Sequence, residues 1–134
     1  MFRIAILALT LAAFATSTSY ACRCRPAPPP KEAMTASLAV FTGKVTETKI
    51  EGQHRISKVA VEQSWKGQPK AIVTVRTANN SAACGYNFKA DQQYIFYCTG
   101  EKDGIWATNT CTRTRTLENA KEDIEALGPG EMPE

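Results

Sequence analysis

Histidine occurs once in the 134 residues, as His54 in the polar stretch Glu51-Gly52-Gln53-His54-Arg55. That stretch reads as a loop tip with no ligand or catalytic role. With one histidine and a single close cysteine pair, the spacing does not read as a zinc knuckle. A glycine-rich phosphate loop is missing, as is Gly-x-Ser-x-Gly, and no carboxylate pair stands out from the surface acids. No enzyme and no cofactor are therefore expected. Lysine and arginine number 16 against 13 acidic residues and are scattered among them, giving a net charge of only +3. Without a basic stripe, nucleic acid is not an expected partner. No internal repeat is found. After the first residues, no apolar run approaches the roughly 20 residues of a membrane-spanning helix.

What is present begins with a secretory pattern. Arg3 supplies a basic start, Ile4 to Phe14 is apolar, and Ser19-Tyr20-Ala21 is a small-x-small cleavage site. Residues 1–21 are read as a signal peptide, residues 22–128 as one domain, and residues 129–134 as a disordered tail. The expected location is outside the cytoplasm, extracellular or periplasmic. All five cysteines, Cys22, Cys24, Cys84, Cys98 and Cys111, follow the cleavage site, and export makes disulfides expected. Five is odd, so one thiol is left over or pairs between chains. Cleavage after Ala21 places Cys22 first, beside Arg23 and Cys24. A free α-amino group next to its own carbonyl is a metal chelator.

Arg25-Pro26-Ala27-Pro28-Pro29-Pro30 is extended and stiff, because proline fixes φ and lacks a donor. Lys31 to Ser37 reads as a short helix with Pro30 near its first position. The period then changes to two. Ala39–Lys49, Ser57–Trp65, Ala71–Thr77, Gln93–Cys98 and Ile105–Thr110 read as strands, separated by Gly-, Pro- and Asn-containing turns. Five short strands argue for a small antiparallel barrel or sandwich. Leu117, Ala120, Ile124 and Leu127 recur at helical spacing, with Thr116 able to cap the start and Gly128 placed to stop the helix. Cys98 ends a buried-looking strand and is read as an inert core thiol.

The residues Cys22-Arg23-Cys24-Arg25-Pro26, directly after a signal, form a Cys-x-Cys-x-Pro opening. Ala39-Val40-Phe41-Thr42-Gly43-Lys44-Val45, Trp65-Lys66-Gly67, Asn80-Ser81-Ala82-Ala83-Cys84-Gly85, Tyr94-Ile95-Phe96 and Thr110-Cys111 follow at fitting distances. Together they resemble the N-terminal, netrin-like domain of the tissue inhibitors of metalloproteinases, as a single-domain member of bacterial type. The resemblance implies a mainly β fold, a five-stranded antiparallel OB-type barrel with a short N-terminal helix and a C-terminal helix. It implies disulfides Cys22–Cys84 and Cys24–Cys111, leaving Cys98 free. It also implies a secreted inhibitor of zinc metalloendopeptidases. In such an inhibitor the α-amine and carbonyl of Cys22 bind the protease's zinc in trans. Arg23 enters the specificity pocket, Cys24, Arg25 and Pro26 line the cleft, and Ala82 with Ala83 form a second contact ridge. Three features depart from the family. Arg23 stands where a Ser or Thr is usual, and neither the third disulfide nor the cysteine-rich C-terminal domain has a counterpart. Three other readings stand beside this one: a non-inhibitory netrin-like binding module, a lipoprotein anchored through Cys22, and a thiol oxidoreductase or copper carrier using Cys22 and Cys24.

Overall fold

Alternating burial along the long strands sets the architecture. The computed structural model describes residues 21–134; the rest of the expected signal peptide lies outside them. In chain order the elements are α1 (Pro30–Ala36), β1 (Ala39–Glu51), β2 (His54–Lys66), β3 (Ile72–Ala78), a 3-10 turn (Ser81–Ala83), β4 (Gln93–Cys98), β5 (Gly100–Lys102), β6 (Ile105–Ala107), β7 (Arg115–Thr116), a second 3-10 turn (Leu117–Asn119) and α2 (Lys121–Leu127). The described residues are mainly β with two short helices. Pro30 stands at the start of α1, where its missing N–H has no intrahelical partner to lose. No helix among the described residues is long and apolar enough to cross a membrane.

The expected five strands are present, but the sheet differs from an all-antiparallel five-stranded barrel. Seven strands run in the order β5-β6-β3-β2-β1-β4-β7. β3 and β6 pair in parallel, through Thr74–Ile105, Val75–Trp106 and Arg76–Ala107. Parallel neighbours need a long crossover, and here the chain between them holds the first 3-10 turn, β4 and β5. β5 and β7, three and two residues long, are too short to leave an alternation in the sequence.

β1 and β4 are covered on both faces. Phe41, Val45, Tyr94, Phe96 and Cys98 join Val59, Val73, Val75 and Phe88 in one cluster. On the other face Val40, Ile95 and Tyr97 pack with Ala33 of α1, Ala120, and the partly buried Leu117, Ile124 and Leu127. This two-sided burial is why Tyr94 to Cys98 is continuously apolar or aromatic rather than alternating.

The C-terminal helix is shorter than the 3.6-residue spacing suggests. Thr116 makes no side-chain cap, and the chain first turns through the 3-10 segment. Ala120, at φ −106° and ψ 21°, lies outside helical geometry, so α2 starts at Lys121. Within residues 129–134, expected as a disordered tail, one antiparallel bridge joins Glu131 to Ser64 of β2. There Glu131 and Ser64 exchange two backbone hydrogen bonds of 2.8 Å, and Gly130 donates to the Gln63 side chain at 3.0 Å.

Candidate functional site

Residues 21–29 belong to no helix or strand; they are a strap tied down at both ends. Cys22 is bonded to Cys84 and Cys24 to Cys111, with Cα separations of 5.0 and 4.9 Å. Side chains two residues apart on an extended strap face the same way, and the two sulfurs reach two neighbouring loops. Cys98 is the remaining thiol, free and fully buried. Burial pushes it up to about 12, so it is no nucleophile at neutral pH.

Each receiving loop is rigid for local reasons. In the first, the Asn80 side chain accepts from the Ala83 N–H at 2.8 Å, and Cys84 turns left-handed at φ 61°. The Cys84 N–H donates to Ser81 O, and the Gly85 N–H to Asn80 O. In the second loop, the Cys111 N–H donates to the Asn109 side chain at 2.8 Å. Thr108 and Thr114 fasten this loop to β4: the Thr108 hydroxyl donates to Tyr97 O at 2.8 Å, and the Tyr97 N–H donates to Thr114 Oγ1 at 3.0 Å. The loops are joined to each other by the Thr110 N–H donating to Cys84 O at 2.9 Å. None of these bonds involves sulfur.

Gly85 is forced by close approach. A Cβ there would collide with the Ala78 carbonyl and lie 2.8 Å from Asn80 O. Gly85→Ala should therefore displace the loop that carries Cys84 and lower stability by about 1–3 kcal/mol. Thermal unfolding of the variant checks this; an unchanged melting temperature would show that the loop yields freely.

The strap's other anchor is a buried polar network not singled out in the sequence. Arg113 is buried, and its Nη1 donates to the Pro28 carbonyl at 3.2 Å. Its Nε and Nη2 donate to the two carboxylate oxygens of fully buried Asp123, at 2.7 and 3.0 Å. The Tyr97 hydroxyl donates to Asp123 Oδ1 at 2.6 Å. Burial alone raises the Asp123 carboxyl, but the bonds from Arg113 and Tyr97 outweigh it and hold the group below its ordinary range. Burial and then the bond to Asp123 raise the Tyr97 phenol. One signal for this network was available: Asp123 sits three residues after Ala120 and four before Leu127, on the apolar stripe itself.

The strap and the first loop, joined by Cys22–Cys84, form an accessible patch. Arg23, Cys24, Arg25, Pro26, Ala82 and Ala83 are exposed, while Cys22, Cys84 and Cys111 are half-buried. A cleft of about 680 Å³ lies elsewhere, walled by residues such as Leu38, Ile72, Val73 and Trp106. Substrate sites are usually concave; this patch is an exposed surface outside that cleft. His54, at the start of β2, is exposed and takes no part in it. The chain matches no protein-family model and no curated protein.

Proposed function

We propose that the working molecule starts at Cys22 and is a secreted inhibitor of zinc metalloendopeptidases. The carrying observation is that half-buried Cys22 is fixed by its sulfur to the loop of Cys84 while Arg23, Cys24, Arg25 and Pro26 beside it are exposed. Its α-amine and carbonyl then chelate the protease's catalytic zinc, at the position that such zinc sites keep open for water. Two disulfides and the Arg113 bond to Pro28 O hold the chelator in place before binding, so little conformational entropy is lost on association. Ala82 and Ala83, held by Cys84, give the second contact ridge. A lipid anchor at Cys22 would need the sulfur that here is bonded to Cys84.

With this reading goes an OB-type barrel of five principal strands, β1, β2, β3, β4 and β6. What supports it is the junction of β4 and β5. Only Thr99 separates them, and its N–H donates to Ala107 O of β6 at 3.0 Å. One continuous stretch, Gln93–Lys102, thus pairs with β1 at one end and with β6 at the other.

The reading is tested by assaying protein with a free Cys22 amine against a panel of zinc endopeptidases. Inhibition of at least one is expected; none across apolar, acidic and open specificity pockets would overturn it. Arg23 sets the target class. A guanidinium buried without a partner is costly, so targets with an acidic pocket should be inhibited best. Arg23→Thr should tighten inhibition of apolar-pocket enzymes by about tenfold or more, which is about 1.4 kcal/mol or more. No gain on that panel would remove this role from Arg23.

A further inference from the structure

The two disulfides are packed into one four-sulfur cluster. All four sulfur atoms lie within 4.8 Å of one another. Beyond the two bonds, Cys22 Sγ is 3.9 Å from Cys24 Sγ and 3.8 Å from Cys111 Sγ, and Cys111 Sγ is 3.5 Å from Cys84 Sγ. A zinc ion held by four thiolates at about 2.3 Å sets its sulfurs about 3.8 Å apart along the edges of a tetrahedron. Three edges of that tetrahedron already stand near the required length. The two bonded pairs need to open, and the sixth edge, Cys24–Cys84, already lies within 4.8 Å.

We infer that, once reduced, Cys22, Cys24, Cys84 and Cys111 form a tetrathiolate site for one zinc ion, which holds the strap where the disulfides held it. The close pair Cys22 and Cys24 lacks a second close pair in the sequence. The fold supplies it by joining the Cys84 and Cys111 loops through the Thr110 N–H and Cys84 O, a bond that survives reduction of the sulfurs. Asn80 and Asn109 hold each loop's shape independently. Thr110 Oγ1 donates to Cys84 O at 3.3 Å and stands 3.6 Å from Cys22 Sγ, so turning its O–H toward a ligating thiolate gives the kind of outer contact that metal sites use. Four thiolates and a zinc ion carry a formal charge of −2, and Arg23 and Arg25 flank the cluster in sequence.

The chemistry balances with a dithiol as reductant. Two dithiol molecules each close to a disulfide, delivering in all four electrons and four protons, while the two protein disulfides open to four thiols. Zinc then takes the sulfurs as thiolates, and four protons pass to solvent. Cys24 is exposed, so a thiol reagent reaches the cluster there; Cys98 is buried in another part of the core and stays out of it.

The test is made on the purified full chain, reduced with a dithiol, freed of it without air, and titrated with cobalt(II) and then zinc(II). It needs no free amine, so it stands or falls separately from protease inhibition. The expected result is the intense visible spectrum of tetrahedral cobalt–thiolate coordination, saturating at one metal per chain and bleached by one equivalent of zinc. Cys24→Ser and Cys111→Ser should each weaken cobalt binding by more than the roughly hundredfold that loss of an outer-shell partner costs, while Cys98→Ala should leave it unchanged. Zinc should raise the melting temperature of the reduced protein by about 10 °C or more, or refold it where reduction alone unfolds it. A pale octahedral spectrum, more than one metal per chain, equal binding by Cys24→Ser, or equal affinity in urea-unfolded chain would each overturn the site.

Discussion

Adding one alanine before Cys22 should abolish inhibition of a zinc protease while leaving the fold intact. An α-amine ordinarily titrates near 7.7–8.0, so freeing its lone pair at pH 7 costs only about 1 kcal/mol. Acylated by an extra residue, the same nitrogen becomes an amide. Its lone pair is then delocalised into the carbonyl, and it no longer binds metal. The added residue also occupies the space the metal must enter. Loss of the chelate should weaken inhibition by about a thousandfold, or about 4 kcal/mol. The disulfides, the loops and the Arg113 bond to Pro28 O lie on the other side of Cys22, so the melting temperature should not move. The free-amine form should also lose about tenfold in inhibition per pH unit below about 7.7, beyond any pH dependence of the enzyme itself. The extended form should lack that slope. Inhibition constants for both forms, measured from about pH 6 to 9 on one enzyme, decide the matter. Equal inhibition by a folded, extended protein would end the proposed mechanism.

How much of this arrangement the sequence discloses depends on the range of the interaction. The long strands were legible because Val45, Val59, Val73 and Val75 are buried between exposed or half-buried neighbours, a period that local sequence carries. The covered strand β4 was legible as an unbroken apolar run. β5 and β7 were not, since a two- or three-residue strand exists only by virtue of its partner. The restart of α2 at Lys121 was hidden because Leu117, Ala120, Ile124 and Leu127 keep helical spacing across a backbone that leaves helical geometry at Ala120. The local turn at Asn80-Ser81-Ala82-Ala83-Cys84-Gly85 could be found from composition. That the Cys84 and Cys111 loops share a backbone hydrogen bond, and that their sulfurs touch, follows from topology alone.

Arg113 and Asp123 are the clearest case of a feature that reads one way in sequence and another in the fold. In sequence they are one base and one acid among many; in the structure they are 7% and 0% exposed at their side chains. Asp123→Asn should be among the most destabilising single changes in the domain. It leaves the Arg113 guanidinium buried with only the largely exposed Glu122 as counter-charge. Removing one partner of a buried pair typically costs about 3–5 kcal/mol, against a total stability of about 5–15 kcal/mol for a domain. The melting temperature should fall by about 15 °C or more. The pH dependence has a definite sign. The folded Asp123 carboxyl lies below its ordinary value of 3.8, so its contribution is fully present above about pH 4 to 5 and is lost as pH falls through the folded value. The native protein should show this acid loss, and Asp123→Asn should not. Replacing Arg113, Asp123 and Tyr97 together with Met, Leu and Phe should recover most of the stability, because the charges that lose a partner, Arg115 and Glu122, are not fully buried. It should not restore the hydrogen bond to Pro28 O. A triple variant that melts like the native protein yet inhibits more weakly would assign Arg113 the positioning of the strap. One that both melts and inhibits like the native protein would show that the disulfides alone hold it.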